Sequence, residues 1–355
     1  MQNPSKIFLK KITDWTSVEK ISAGLLSVWQ RITEEKELVK KDEFVGIKLT
    51  FGEEGTSGYI RSEWLLDFIK SIREKTERLF IVETNTLYKG KRSDAIGHIQ
   101  IAHQHGYDIR SIGIPIIIRD GLKGRDGQNV SIRGDHFENV KVAKAVCESN
   151  MLICLSHVTG HFQAGFAGDL KNLGMGCTTR SGKLMQHSKT LPEICVEKCI
   201  GCGLCMKICP VNAIGLKKKK ALLVKERCIG CGECTVICSS DAIEIRYDEN
   251  IVKFQEKMVE YALGVKSILS GRLACINFLY HITKDCDCMA KNEIPHVQDI
   301  GIIGGIDPVS VDKASLDIIG IEAFQQMYPD IDPMVQISHG EKIKLGYSQY
   351  TLTEV

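Results

Sequence analysis

Short apolar runs rich in β-branched residues alternate along this chain with stretches whose apolar residues recur at helical spacing. Val45-Gly-Ile-Lys-Leu-Thr-Phe51 predicts a strand. Ile60 to Lys75, with Trp64, Leu65, Phe68, Ile69 and Ile72 on one face, predicts a helix. Phe80-Ile-Val-Glu83 is strand-like again, and a helix from Asp94 to His105 follows, ended by Gly106. Ile114-Pro-Ile-Ile-Ile118, Met151-Leu-Ile-Cys-Leu155 and Ala274-Cys-Ile-Asn-Phe-Leu279 are three further strands by the same criteria. Helices over Phe137 to Ser149, Ile251 to Leu269 and Val309 to Ile319 fall between or after them. Strands alternating with helices predict an α/β fold, a mostly parallel sheet body with helices on its faces.

Residues 191–247 break this alternation. Cys199, Cys202, Cys205 and Cys209 read C-x2-C-x2-C-x3-C-P, and Cys228, Cys231, Cys234 and Cys238 repeat the spacing 29 residues later. Asn212-Ala-Ile214 is answered by Asp241-Ala-Ile243, so the repeat extends beyond the sulfurs. A loop with thiolates at every third position wraps three corners of an iron–sulfur cube, and in this arrangement the fourth ligand comes from the other run. The expected sets are Cys199, Cys202, Cys205 and Cys238 for one 4Fe-4S cluster, and Cys228, Cys231, Cys234 and Cys209 for the other. Tetrahedral zinc is the alternative that paired C-x2-C also suits. The expected organisation is an α/β body over residues 1–190 and 248–355, interrupted by a small ferredoxin-like α+β insertion over 191–247. So short an insertion buries little core, so metal ligation must supply much of its folding free energy. The basic run Lys217 to Lys220 sits between the motifs on an expected hairpin, either as a solvated loop or as a docking patch for an acidic electron carrier.

Composition narrows the function classes. The chain has 355 residues, 43% hydrophobic and 25% charged, and a net charge of +2 that argues against nucleic acid as a partner. No apolar run approaches the length of about 18 residues that spans a bilayer. The N-terminal stretch lacks the apolar core of an export signal, and eight of the 15 cysteines lie in cluster spacing. A reducing, oxygen-poor cytoplasm is the expected location.

Two other regions carry candidate chemistry. Gly52-Glu-Glu-Gly55-Thr-Ser-Gly58 follows the first strand and precedes a helix, where backbone amides suit an anion, with Lys48 and Arg61 adding positive charge. It lacks the G-x-G-x-x-G pattern, so it does not predict a dinucleotide, and a plain turn is the competing reading. From Ser156 to His187, the residues His157, His161, Lys171, Asn172, Cys177 and Lys183 crowd between glycines after a strand, the end of the sheet where α/β proteins place ligands. Asp285-Cys286-Asp287-Cys288 has three readings: a further metal or cluster site, a redox-active dithiol, or an ordinary loop.

Taken together, the chain resembles a family of uncharacterised iron–sulfur centre proteins, the domain of unknown function 362. The resemblance rests on Gly46-Ile-Lys48-Leu, Glu83-Thr-Asn-Thr-Leu-Tyr88, His161, and Lys171-Asn-Leu-Gly-Met-Gly-Cys177. It continues through Asp285-Cys-Asp-Cys288 and Asp307-Pro-Val-Ser-Val-Asp312. It implies a paired-cluster segment within the α/β body and names no substrate. Cys238 is followed by Ser239 where bacterial ferredoxin motifs usually have proline, which restores an N–H able to bond a cluster sulfur.

The leading expectation is an iron–sulfur oxidoreductase. A soluble donor such as ferredoxin or flavodoxin feeds two 4Fe-4S clusters, which pass electrons to a small anionic substrate in the body. In that reading His157, His161, Lys171 and Cys177 carry catalysis, and Lys48, Gly52, Gly55, Asn172 and Lys183 hold the anion. Cys286 and Cys288 are the candidates for an additional metal. The alternatives are an electron-transfer subunit that docks a redox partner and a metallocofactor assembly factor.

Overall fold

The computed structural model describes residues 4–188, 191–247, 249–289 and 292–355. Its centre is one eight-stranded sheet in the order Tyr350–Glu354, Ser5–Lys11, Gly301–Gly305, Leu273–Leu279, Met151–His157, Val45–Lys48, Leu79–Glu83 and Ile116–Ile118. The last five strands are mutually parallel, and only Gly301–Gly305 runs against its neighbours. The chain is therefore α/β with a mostly parallel sheet.

Strand Met151–His157 shows how the sheet is covered. Leu152 and Cys154 point into one core, while Met151, Ile153 and Leu155 point into the other. A strand buried on both faces is apolar at nearly every position, which is why Met151 to Leu155 run without polar alternation. Helices Ile251–Ile268 and Pro308–Ile319 cover the first face, and Val18–Glu35 and Leu66–Arg73 the second. Asp94 and Asp307 start their helices by accepting backbone N–H groups of the first turn. No helix among the described residues is long and apolar enough to cross a membrane.

Several expected elements change. Phe137 to Ser149 is not one helix but a strand, Asn139–Ala143, followed by a single helical turn, Lys144–Cys147. Val140 and Val142 alternate with polar neighbours, a period-2 signal, and the strand pairs with Gly127–Ser131. The strand expected to reach Phe51 stops at Lys48, and the helix expected from Ile60 begins as a 3-10 turn, Ser62–Leu65, before Leu66–Arg73. The lysine run does form a hairpin, with Ile214–Lys217 against Lys220–Leu223 and both Lys218 and Lys219 at positive φ (51° and 62°).

Candidate functional site

Four loops that leave the C-terminal ends of parallel strands enclose a pocket of about 770 Å³. They are Thr50–Glu54 after the first strand of the parallel set, Thr84–Arg92 after Leu79–Glu83, His157–His161 after Met151–His157, and Cys286–Met289 beyond Leu273–Leu279. This is the crevice where open α/β sheets bind ligands. Helix Asp169–Gly174 adds Lys171 and Asn172, and helix Arg180–His187 adds Lys183 and His187. The structure thus gathers His157, His161, Lys171, Asn172, Lys183, Cys286 and Cys288 around one space.

Four candidates fall outside it. Lys48 is fully buried, and its ammonium is saturated by Glu83 Oε1 at 2.8 Å, Asn172 Oδ1 at 2.7 Å and Leu49 O at 2.9 Å. It ties two loops together and leaves no donor for a ligand. Cys177 lies at 0% exposure in the apolar core, where burial raises its thiol pKa, so it is a small packing residue. Gly52 and Gly55, at φ 81° and 83°, shape a turn rather than an anion cradle. The amide between them, Glu53 N, donates to Asp287 O at 3.0 Å.

Asn172 lines the pocket but holds it together instead of presenting a free amide. Its Oδ1 accepts from Lys48, while Nδ2 donates to Leu155 O and Ser156 Oγ, both at 3.0 Å. His157 is likewise an anchor. Its Nδ1 meets the Asp287 carboxylate at 2.9 Å and its Nε2 meets Tyr280 O at 2.8 Å. Both partners only accept, so both ring nitrogens donate and the ring is an imidazolium. Burial disfavours that charge, but Asp287 outweighs it and holds the pKa above the usual 6.5; burial likewise opposes ionisation of Asp287, yet His157 holds its carboxyl below 3.8. His157 therefore stabilises the fold fully below 6.5 and loses that contribution as pH rises through its raised pKa. The Asp287 contribution is present above 3.8 and lost as pH falls through its lowered one. In Asp287→Asn, burial is opposed only by backbone hydrogen bonds to Tyr280 and His281, so an NMR titration is expected to show the His157 pKa below its wild-type value. An unchanged value would mean the pair is not formed.

Ion pairing among the pocket cations is uneven. Arg92 Nε contacts Glu53 Oε2 at 3.1 Å, Lys91 pairs with Glu54, and Lys89 reaches Asp241 at 2.9 Å. Lys171 and Lys183 have no carboxylate partner among the described residues. Lys183 Nζ donates only to Thr84 Oγ1 (2.6 Å) and Thr178 O (2.9 Å), and Lys171 has no hydrogen-bond partner among those residues. Burial, partly offset by nearby carboxylates, lowers both ammonium pKa values to about 8. Burial and the lysine charges also hold His187 down at about 3 and His161 well below 6.5, so both rings are neutral. Unpaired ammonium groups in a half-enclosed space favour an anionic ligand. Glu53, Arg92 and Asp287, which knit the walls, were not singled out from sequence. Their signal was only proximity to the glycine loop, the Glu83–Tyr88 motif and the Cys286–Cys288 pair.

Asp312 sets the position of Lys171. Its carboxylate accepts from the Asp169 and Leu170 amides, each at 2.8 Å, at the start of helix Asp169–Gly174, and from Asn277 Nδ2 at 2.8 Å.

The eight repeated cysteines line two small pockets. One is bordered by Cys199, Cys202, Cys205 and Cys238, the other by Cys209, Cys228, Cys231 and Cys234. Each group takes three sulfurs from one loop and the fourth from the other. Amide N–H groups point at the sulfurs: Ala221 N to Cys199 Sγ at 3.3 Å, Ala213 N to Cys209 Sγ and Ala242 N to Cys238 Sγ, both at 3.2 Å. Gly201 and Gly203 in one loop, and Gly230 and Gly232 in the other, adopt positive φ that turns the chain around each pocket. The second loop abuts the wall of the large pocket. Lys89 Nζ reaches Cys238 O at 3.3 Å, and a β-carbon at Gly232 would lie 3.3 Å from Leu87 Cδ1. Elsewhere in the large pocket, a ring nitrogen of His161 and the sulfurs of Cys286 and Cys288 lie within 4.8 Å of one another, a spacing compatible with a metal ion.

The family model described as "Domain of unknown function (DUF362)" matches residues 45–317. No curated protein matches the chain. Among solved structures it is similar to the lactate racemase apoprotein from Thermoanaerobacterium thermosaccharolyticum, at 13% identity and a TM-score of 0.44, over 90% of this chain and 58% of that one. It is also similar to a protein from Thermotoga maritima, at 11% identity and a TM-score of 0.39, over 92% of this chain and 59% of that one. The chain thus spans less than two thirds of either neighbour's length.

Proposed function

We propose, from the premise that this chain belongs to the DUF362 family, that it is an iron–sulfur oxidoreductase acting on a small anion in the large pocket. The observation that carries this reading is that two crosswise four-cysteine pockets lie against the wall of a cavity holding two ammonium groups without carboxylate partners among the described residues. The donor sets fit 4Fe-4S clusters: four thiols each, with amide N–H groups directed at sulfur. Such clusters would supply one-electron transfer at low potential. Residues 191–247 are then the inserted ferredoxin-like segment.

The body's residues do the rest. Lys171 and Lys183 bind and orient the anion, and Lys171, with its pKa near 8, can also release a proton at neutral pH. Leu87 and Lys89 of the segment Thr84–Arg92 line the anion pocket and also touch the second cysteine loop. On the outer side, Ile200 and Ile229 are 68% and 54% exposed in the same segment as the lysine hairpin, a surface suited to an acidic carrier such as ferredoxin or flavodoxin. A purely docking subunit would have no use for the cavity, which favours the oxidoreductase over that alternative.

The test is anaerobic reconstitution, reduction with dithionite and removal of excess reductant. Small carboxylates and phosphate esters are then added while the EPR signal of the reduced protein is followed. Reoxidation by one anion class is expected. Lys171→Met with unchanged iron content should raise that anion's KM about tenfold, the equivalent of about 1.4 kcal/mol. A protein that takes up only zinc would defeat the reading, as would a KM indifferent to Lys171.

A further inference from the structure

Cys286 and Cys288 stand in the large pocket beside His161, and neither the cluster pockets nor the anion site uses them. Their Cα atoms are 5.3 Å apart, within the span a disulfide bridges, and the structure joins them. The loop that carries them is pinned. Asp287, between the two sulfurs, is locked to His157, the Asp287 carbonyl accepts from Glu53 N at 3.0 Å, and Met289 N donates to Cys286 O at 2.9 Å.

A metal held by this trio runs against the hydrogen bonding of His161. Its Nδ1 accepts from Gln163 N at 3.2 Å and Ala164 N at 3.1 Å. A nitrogen receiving two N–H groups carries no proton, so the neutral ring holds its proton on Nε2. Coordination needs a free lone pair on a neutral ring, and here Nδ1 has its lone pair engaged while Nε2 is protonated. A protonated Nε2 suits a different task, which is to steady a thiolate by donating a hydrogen bond to it.

We infer that Cys286 and Cys288 form a redox-active dithiol–disulfide couple that serves as the two-electron centre of the pocket, with the Nε2–H of His161 as the hydrogen-bond donor that steadies the reduced sulfur. In the reductive direction the S–S bond breaks on uptake of two electrons and two protons, giving two thiols. A low-potential one-electron carrier supplies the electrons in two single steps, and the two protons come from solvent water. Two one-electron sites beside one disulfide match this stoichiometry. The source of the electrons rests on the oxidoreductase reading above, whereas the couple itself does not.

The test uses the full chain, anaerobically, in three states: as reconstituted, after dithionite, and after dithiothreitol. Each sample is acid-quenched and alkylated with iodoacetamide, and the peptide bearing Cys286 and Cys288 is weighed. Iron counting and EPR are run on the same samples. Neither cysteine is expected to be labelled before reduction and both after either reductant, and His161→Leu is expected to slow labelling after dithionite about tenfold with the iron count unchanged. Reduced clusters with no change in labelling would overturn the couple and leave the oxidoreductase standing. Iron-free protein that still gains two labels with dithiothreitol would support the couple and remove the oxidoreductase. Metal beyond about eight irons that disappears in Cys286→Ser would overturn the couple in favour of a metal site.

Discussion

Cys209→Ala combined with Cys228→Ala is expected to leave about four irons and four acid-labile sulfides per chain, while Cys205→Ala combined with Cys209→Ala leaves none. Cys209 and Cys228 border the same small pocket although they belong to different loops, so losing both costs a single cluster. Cys205 and Cys209 share a loop but border different pockets, so losing both costs two. If each loop kept its own fourth cysteine, the two double variants would exchange outcomes, and iron counting distinguishes the cases directly. The variant without clusters should also become protease-sensitive across residues 191–247. The buried apolar cluster there consists of Cys199, Cys205, Cys234 and Cys238 with only Ile214, Ala221, Ala242 and Ile243. Half of that core is cysteine, so if the cysteines hold clusters as proposed, the segment should draw much of its folding free energy from the metal.

The second large effect is expected at Asp312. Asp312→Ala should destabilise the protein by at least about 2 kcal/mol, since it strands two buried backbone donors that each cost about 1–3 kcal/mol without a partner. Those donors are the amides of Asp169 and Leu170; the Asn277 side-chain amide also loses Asp312 but keeps Ser315 Oγ at 2.9 Å, and all three residues are fully buried. The variant also frees the start of the helix that carries Lys171, so folded protein should lose anion affinity although Asp312 does not line the pocket. Denaturant unfolding gives the stability change, and anion titration of the surviving fold gives the second. A loss under about 1 kcal/mol would mean that water replaces the carboxylate.

Much of the fold was legible because its signals are local. Met151–His157, Leu273–Leu279 and Leu79–Glu83 are built on apolar runs, broken only by Asn277 in the second and by polar residues at the C-terminal ends of the other two, as expected of strands covered on both faces. The strands Ser5–Lys11, Gly301–Gly305 and Tyr350–Glu354 went unrecognised. Gly301-Ile-Ile-Gly-Gly305 is short and glycine-rich, and Tyr350–Glu354 is an exposed edge whose residues pack on little. Phe137 to Ser149 was misjudged because two valines spaced for a strand precede a single helical turn.

In the site, residue type alone marked His161, Lys171, Lys183, Cys286 and Cys288, yet type could not separate a free group from a satisfied one. Lys48 and Lys171 look alike as residues. The fold places Glu83, Asn172 and the Leu49 carbonyl around the first, and leaves the second without a partner among the described residues. By itself the sequence determined the alternation that makes an α/β sheet and the cysteine spacing that makes two four-sulfur pockets, because both are periodicities along the chain. Tertiary structure decided which lysine stays unpaired, which histidine carries its proton on which nitrogen, and which cysteine pair faces the cavity. The pairing of Lys48 depends on Glu83 and Asn172, far along the chain, and that of His161 on the turn that brings the Gln163 and Ala164 amides onto its ring, because hydrogen bonds and ion pairs are settled by distance in space.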